Sequence, residues 1–238
     1  MKKFFALALL TLSLAAHARA QSADAPATRP RRAQPAQEQP AQQLPTPQPT
    51  PSAQSAPEDA HDYAPIRERE IAYKNWTFKT ASGEQINLRD WARGKRLVLV
   101  AYFAPWCRNS KLESPVVVDL YNKYHAEGFD VIVVEEYGTA EELAAFTVAH
   151  PLPFPVVVES DSQDARSKTT HYAYRQQAND PRKWGTPFNV FLDAASLKRR
   201  GDTLSRNVWA ANGELVPAEA EAFIRERLGL PAVAGKED

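Results

Sequence analysis

Residues 96–104 read RLVLVAYFA. A near-continuous apolar run of this length marks a central strand buried on both faces, because a half-wet strand would alternate apolar and polar residues. Both faces of its sheet must therefore be covered, which points to a layered α/β architecture. The run leads directly into Pro105-Trp106-Cys107-Arg108-Asn109-Ser110. Beyond this turn, Leu112, Val116, Leu120 and Tyr124 recur at helical spacing, and Gly128 is placed to end a helix over 110–127.

The rest of the ordered region repeats this alternation. Residues 76–80 and 85–88 predict two short strands around a Ser82-Gly83 turn, and 89–93 a helical turn. Residues 129–134 (FDVIVV) and 154–159 (FPVVVE) predict further strands. Between them Thr139 is a cap for a helix over 140–150, with Glu141 and Glu142 in the first turn where the helix dipole favours them. A fourth strand is expected at 188–192, a fifth at 207–211 before the Asn212-Gly213 turn, and a closing helix at 218–228. The expected fold is a mixed sheet with helices on both faces and an N-terminal strand pair.

Three further segments are expected outside this domain at 63–232. Lys2 and Lys3 precede an apolar stretch that is too short to span a bilayer, and Ala18-Arg19-Ala20 supplies small residues for cleavage. Residues 1–20 therefore read as a secretory signal peptide, and no cysteine at the cleavage point is available for a lipoprotein anchor. Residues 21–62 are rich in Pro, Gln, Ala, Ser and Thr and read as a disordered tether. Residues 233–238 read as a flexible tail. The expected location is outside the inner membrane, in an oxidising periplasm, with no membrane insertion after cleavage. With 29 basic and 29 acidic residues the net charge is zero, which predicts no strong attraction to nucleic acid or anionic membranes.

Cys107 is the single cysteine of the chain. It is either a buried, inert hydrophobe or a reactive thiol whose partners lie on other molecules. Its place between a buried strand and a helix start favours the second, since free backbone N–H groups there stabilise a thiolate.

The segment Ala104-Pro105-Trp106-Cys107-x-x-Ser110-Lys111-x-Glu113-x-Pro115 resembles the thioredoxin superfamily, and within it the extracytoplasmic TlpA/ResA-type redoxins of the AhpC/TSA group. Trp184-Gly185-Thr186-Pro187-Phe188, just before a strand, is similar to that family's cis-proline loop. The resemblance spans residues 76–230 and implies a thioredoxin-like fold. It implies that Cys107 attacks, that Glu113 influences thiol ionisation and proton transfer, and that Trp106, Thr186 and Pro187 meet the substrate. Pro115 corresponds to the helix-kinking proline. The departure is Ser110, which stands where the family has its resolving cysteine.

Cys-x-x-Ser cannot close an internal disulfide. Cys107 can form a mixed disulfide with a substrate, and Ser110 can at most hydrogen-bond the sulfur, so release needs an external thiol. The expected function is a monothiol thiol–disulfide oxidoreductase or isomerase acting on extracytoplasmic protein thiols or disulfides, without a cofactor or metal. The alternative is a non-enzymatic module that keeps the peptide groove. A peroxiredoxin ranks below both, because the Thr or Ser that such enzymes carry three residues before the cysteine is here Ala104. His61, His125, His150 and His171 show no metal spacing and read as surface or helix-end residues. Residues 160–183 mix basic and aromatic side chains, which suits either a solvated insertion with a short helix or a partner surface.

Overall fold

The computed structural model describes residues 60–232. The expected signal peptide, nearly all of the tether and the tail at 233–238 lie outside the described residues. In chain order, β1 (Tyr63–Ala64), β2 (Arg67–Lys74), β3 (Thr77–Thr80) and β4 (Gln85–Asn87) precede the short helix α1 (Leu88–Trp91). An alternating run follows: β5 (Leu97–Phe103), α2 (Arg108–Tyr124), β6 (Phe129–Glu136), α3 (Ala140–Ala149) and β7 (Val156–Ser160). Then come α4 (Thr170–Gln177), β8 (Phe188–Asp193), β9 (Thr203–Ala211), β10 (Glu214–Leu215) and α5 (Pro217–Arg227).

The main sheet has the order β2-β9-β8-β5-β6-β7-β3-β4. β5, β6 and β7 run parallel, and α2 and α3 are the crossovers that parallel neighbours require. β8 and β9 join antiparallel on one side, and β3 and β4 on the other. β1 pairs in parallel with β10 as a separate ribbon.

All of β5 is buried, as its composition requires. Leu97, Leu99, Ala101 and Phe103 point to one face, with Val117, Leu120 and Tyr124 of α2, Leu143 and Phe146 of α3, and Ile224 of α5. Val98, Val100 and Tyr102 point to the other, with Leu88 of α1 and Tyr174 of α4. Each fully buried branched or aromatic side chain contributes about 1.5–3 kcal/mol, so this double-sided layer is the main stabilising element.

Some boundaries differ from the sequence reading. α2 begins at Arg108 rather than at residue 110, because Cys107 is itself the N-cap. It ends at Tyr124, and a 3-10 turn over His125–Glu127 leads to Gly128, whose φ of 94° closes the turn. β2 was not expected from REREIAYK. It is a strand because Ile71 and Tyr73 alternate into the second core while Arg67, Glu68, Glu70 and Lys74 are exposed. β9 extends back to Thr203, under polar residues that hid it. The 160–183 stretch is more than a solvated insertion, since α4 buries His171, Tyr174 and Arg175.

Candidate functional site

Cys107 caps α2 with extended backbone (φ −74°, ψ 122°). Its N–H donates to the Ala104 carbonyl at 2.9 Å, and its own carbonyl accepts from Lys111 N at 3.2 Å. The thiol is half-buried and lies 3.4 Å from the carbonyl oxygen of Thr186, to which it donates. The Thr186–Pro187 peptide bond is cis. The strand-to-helix turn and the Gly-Thr-Pro loop, separate in sequence, thus meet at the sulfur. Trp106 stands beside them, its indole N–H donating to the Tyr137 carbonyl at 3.1 Å and its ring meeting Trp184 edge-on at 5.4 Å.

Ser110 lies on the first turn of α2 and is buried. The hydroxyl that the sequence offers to the Cys107 sulfur instead accepts from the Ala104 N–H at 3.4 Å. It ties the helix start to the end of β5. Glu113, one turn further on, is only 4% exposed, so it is no solvated helix glutamate. One oxygen, Oε1, accepts from Asn189 Nδ2 at 2.7 Å and from the Leu215 N–H at 2.8 Å. Burial nonetheless raises its pKa to about 8, because two donors do not replace lost hydration. Glu113 and Ser110 share the wall of a cavity of about 20 Å³ with Ala101, Phe103, Val117 and Phe146. Such a volume holds about one water molecule.

Facing the sulfur from the loop, two arginines, Arg175 buried and Arg182 partly exposed, grip the backbone. Arg175 is fully buried and pairs with Asp180 at 3.0 Å. Its guanidinium donates to the Trp184 carbonyl at 2.9 Å and to the Arg182 carbonyl. Arg182 donates to the carbonyls of Gly185 at 3.3 Å and Pro187 at 3.1 Å. His171 is buried too: it stands in the first turn of α4, so it is a helix-end residue but not a surface one. Its Nε2 faces the Gly185 carbonyl at 3.3 Å and must carry the proton, so Nδ1 accepts from the Tyr137 hydroxyl at 2.9 Å. Burial and Arg175 push its pKa well below the usual value, which keeps it neutral. Gly185 has a φ of +65°, and a Cβ there would fall 1.7 Å from Arg175 Nε. The glycine is required by the arginine packed against it.

A third group, unexpected from sequence, fastens the motif's middle residues. Glu214 is 1% exposed and accepts from Asn109 Nδ2 at 2.8 Å, from the Asp62 N–H at 2.8 Å and from His61 Nδ1 at 2.5 Å. Arg108 donates to the Ala60 carbonyl at 2.7 Å. Asn189 and Glu214 were legible in principle as polar residues in buried strands. Arg175 gave no such signal, because it lies in a stretch rich in charge.

A family model described as the AhpC/TSA family matches residues 71–193, just over half of the chain. The chain belongs to the AhpC/TSA family. It has a thioredoxin-like fold, a mixed sheet covered by helices with the cysteine at a helix start facing a cis-proline loop. It is 30% identical over 102 residues to a thioredoxin-like protein, YneN, of Bacillus subtilis, covering 41% of this chain and 58% of the relative. It is 27% identical over 89 residues to the thiol-disulfide oxidoreductase ResA of Bacillus thuringiensis, covering 37% and 50%. The chain therefore spans about half the length of the curated relatives it matches. A solved thiol:disulfide interchange protein of the thioredoxin family from Chlorobium tepidum is 17% identical, with 68% of this chain and 98% of that one covered and a TM-score of 0.49.

The site is chemically limited in one respect. It contains a single sulfur, facing a backbone carbonyl, with a serine fixed to backbone where a second sulfur would be needed for an internal disulfide. Among the described residues no group of three or more His, Cys, Asp or Glu is placed to hold a metal ion. No helix among them is long and apolar enough to cross a membrane.

Proposed function

We propose that this chain is an exported monothiol thiol–disulfide oxidoreductase or isomerase that works through Cys107 on extracytoplasmic proteins. The observation that carries this reading is the thiol of half-buried Cys107, 3.4 Å from the Thr186 carbonyl, in a chain with no second cysteine. In the first step the Cys107 thiolate attacks one sulfur of a substrate disulfide. A Cys107–substrate disulfide forms, the substrate S–S bond breaks, and the other substrate sulfur leaves as a thiolate. In the second step a thiolate from the substrate or from a separate thiol compound attacks the substrate sulfur of the mixed disulfide. Cys107 leaves as thiolate and a new disulfide forms on the attacker. No net electrons are transferred when the attacker is the substrate's own thiol, which is isomerisation. With an external thiol one substrate sulfur is freed as a thiol and the other is left in a disulfide with that thiol, and a second equivalent of the thiol cleaves this disulfide to complete the reduction.

The neighbouring residues take roles that fit these steps. Thr186 and Pro187 form the edge against which a substrate strand pairs. Trp106, half-buried beside the sulfur, offers it an apolar surface. Glu113, titrating at about 8, holds or releases a proton near neutral pH next to the helix start. Ser110 keeps the turn shaped without supplying a thiol. The apolar N-terminal stretch with its Ala-Arg-Ala site supports export to the periplasm.

Trapping tests this directly. Reduced protein, incubated with a periplasmic extract and run without reductant, is expected to show mixed disulfides. They disappear in Cys107→Ser and are released by added thiol. No adduct with the wild-type chain would overturn the redox reading and leave a peptide-binding module.

A further inference from the structure

The function above does not account for the basic and aromatic residues of the 160–187 stretch. They form one cluster. Arg166 Nη1 donates to the Lys183 carbonyl at 2.8 Å, which sets the two basic residues side by side. The Arg166 guanidinium lies over the rings of Tyr172 at 5.3 Å and Trp184 at 5.6 Å, and Lys183 Nζ over Trp184 at 4.8 Å. Trp184 in turn meets Trp106, the neighbour of Cys107, at 5.4 Å. The cluster is therefore one indole away from the turn that carries the thiol.

A groove of about 570 Å³ opens beside it, lined by Arg166, Tyr172, Asn179, Asp180, Arg182 and Lys183 among others. The one carboxylate in its wall, Asp180, is 4% exposed and already paired with Arg175 and Arg182. Among the described residues neither Arg166 nor Lys183 has an ion-pair partner, whereas Arg182 also approaches Asp62 at 3.5 Å. Asp164, on the same 3-10 turn as Arg166, is exposed and donates its backbone N–H to the Ser162 hydroxyl. The groove is thus walled by cations held in place by aromatic rings, with its acid internally neutralised. Such a surface attracts a negatively charged partner and holds its apolar stem against an indole.

We propose that this groove is the substrate-docking flank and takes an acidic polypeptide segment adjoining the reactive cystine. Carboxylates sit between Arg166 and Lys183, and the neighbouring side chains lie along Trp184 toward Cys107. This deepens the monothiol reading and rests on it.

The test uses the full, reduced chain and three synthetic cystine peptides that differ only in two flanking residues: Glu-Glu, Gln-Gln or Lys-Lys. The rate of mixed-disulfide formation at Cys107 is followed by mass spectrometry and normalised to the rate with a small neutral disulfide. At low ionic strength the Glu peptide is expected to react about ten-fold faster than the Lys peptide, as for steered encounters. The ratio is expected to shrink toward one at about 1 M salt, where the Debye length falls to about 3 Å. Lys183→Glu, at an exposed position, is expected to bring the ratio to one or below, and Arg166→Gln to lower it. Equal rates for the three peptides would overturn the acidic-partner inference while the monothiol reading stood. No reaction with any peptide would overturn the reading of Cys107, and this inference with it.

Discussion

The two sides of Cys107 are both polar and both buried, yet they are built with opposite charge. On the helix side, Glu113 is a carboxyl group sunk in an apolar wall, with two hydrogen-bond donors and no cation in hydrogen-bond contact. On the loop side, Arg175, Arg182 and His171 turn their donors onto the carbonyls of Arg182, Trp184, Gly185 and Pro187. The first arrangement leaves a group free to titrate near neutral pH. The second fixes a backbone shape and titrates little. A thiol exchange site needs both: a proton that can move, and a rigid edge against which a substrate strand can be aligned.

The sharpest way to break the loop side is Gly185→Ala. The new methyl group would occupy the place of the Arg175 guanidinium, at a φ of +65° that disfavours any side chain. Displacing Arg175 leaves the Trp184 carbonyl without its donor and Asp180 with Arg182 alone, in a buried setting. The expected loss is about 3–5 kcal/mol of stability, as for a broken buried ion pair. Urea unfolding would measure it, and a loss below 1 kcal/mol would show that the loop does not depend on this contact.

Arg175→Met tests the same grip without backbone strain. It removes the hydrogen bonds to Trp184 and Arg182 while Arg182 still neutralises Asp180. The expected cost is therefore smaller, about 2–4 kcal/mol. The rate of Cys107 mixed-disulfide formation with a cystine peptide should fall more than its rate with a small disulfide, since only the peptide needs the aligned edge.

The legibility of these two sides in the sequence differed for a physical reason. Residues 96–104, the helix after Cys107 and the Gly-Thr-Pro loop were readable because buried strands and helix periodicity leave patterns along the chain. Glu113 was readable only by resemblance, since a glutamate in a helix is usually wet. The loop network left no local pattern at all. Arg175 and His171 sit in a charged, aromatic stretch whose average reads as surface, and their burial follows from α4 folding back over Tyr102 and Phe188. β2 was hidden in the same way, because only Ile71 and Tyr73 of its residues enter the core. Long-range packing decided these cases, and composition could not.

The pH dependence of stability separates the two sides by sign. Glu113 and Glu135 are both buried with pKa values raised to about 8 by desolvation, from 4.5 when unfolded. Their contributions are fully present below pH 4.5 and are lost as pH rises toward 8, with a slope of at most about 1.4 kcal/mol per pH unit for each proton. His171 has the opposite sign. Its lowered pKa favours the folded state above 6.5, and that contribution is lost as pH falls. Asp180 acts in the same direction at lower pH: burial pushes it up, but hydrogen bonds from Arg182 and Arg175 outweigh this and hold it below 3.8. Between pH 6.5 and 8 the buried acids dominate the change, Glu136 with them since burial also raises its pKa well above the ordinary value, so the melting temperature should fall across that window. Glu113→Gln should remove part of this decline while keeping an acceptor and a donor in place. A profile unchanged by Glu113→Gln would show that the carboxyl group is ionised throughout.

The smallest expected effect belongs to Ser110. Its hydroxyl makes one long hydrogen bond, 3.4 Å to the Ala104 N–H, and its methylene is packed in the same wall as Glu113. Ser110→Ala should cost about 0.5–1.5 kcal/mol, a typical net value for one hydrogen bond. It should leave the rate of Cys107 attack on a peptide disulfide within about two-fold, since the serine does not touch the sulfur and the groups that present the substrate stay in place. Ser110→Cys is nearly isosteric but changes the chemistry. It places a second thiol at the resolving position, so a mixed disulfide formed at Cys107 should now be released without added thiol, as an internal 107–110 disulfide. Mass spectrometry of the alkylated protein would detect it as the loss of two free thiols. If the pair does not close under oxidising conditions, Ser110 is held too firmly toward the end of β5 for its side chain to reach Cys107. The monothiol character would then be set by backbone geometry as well as by the missing sulfur.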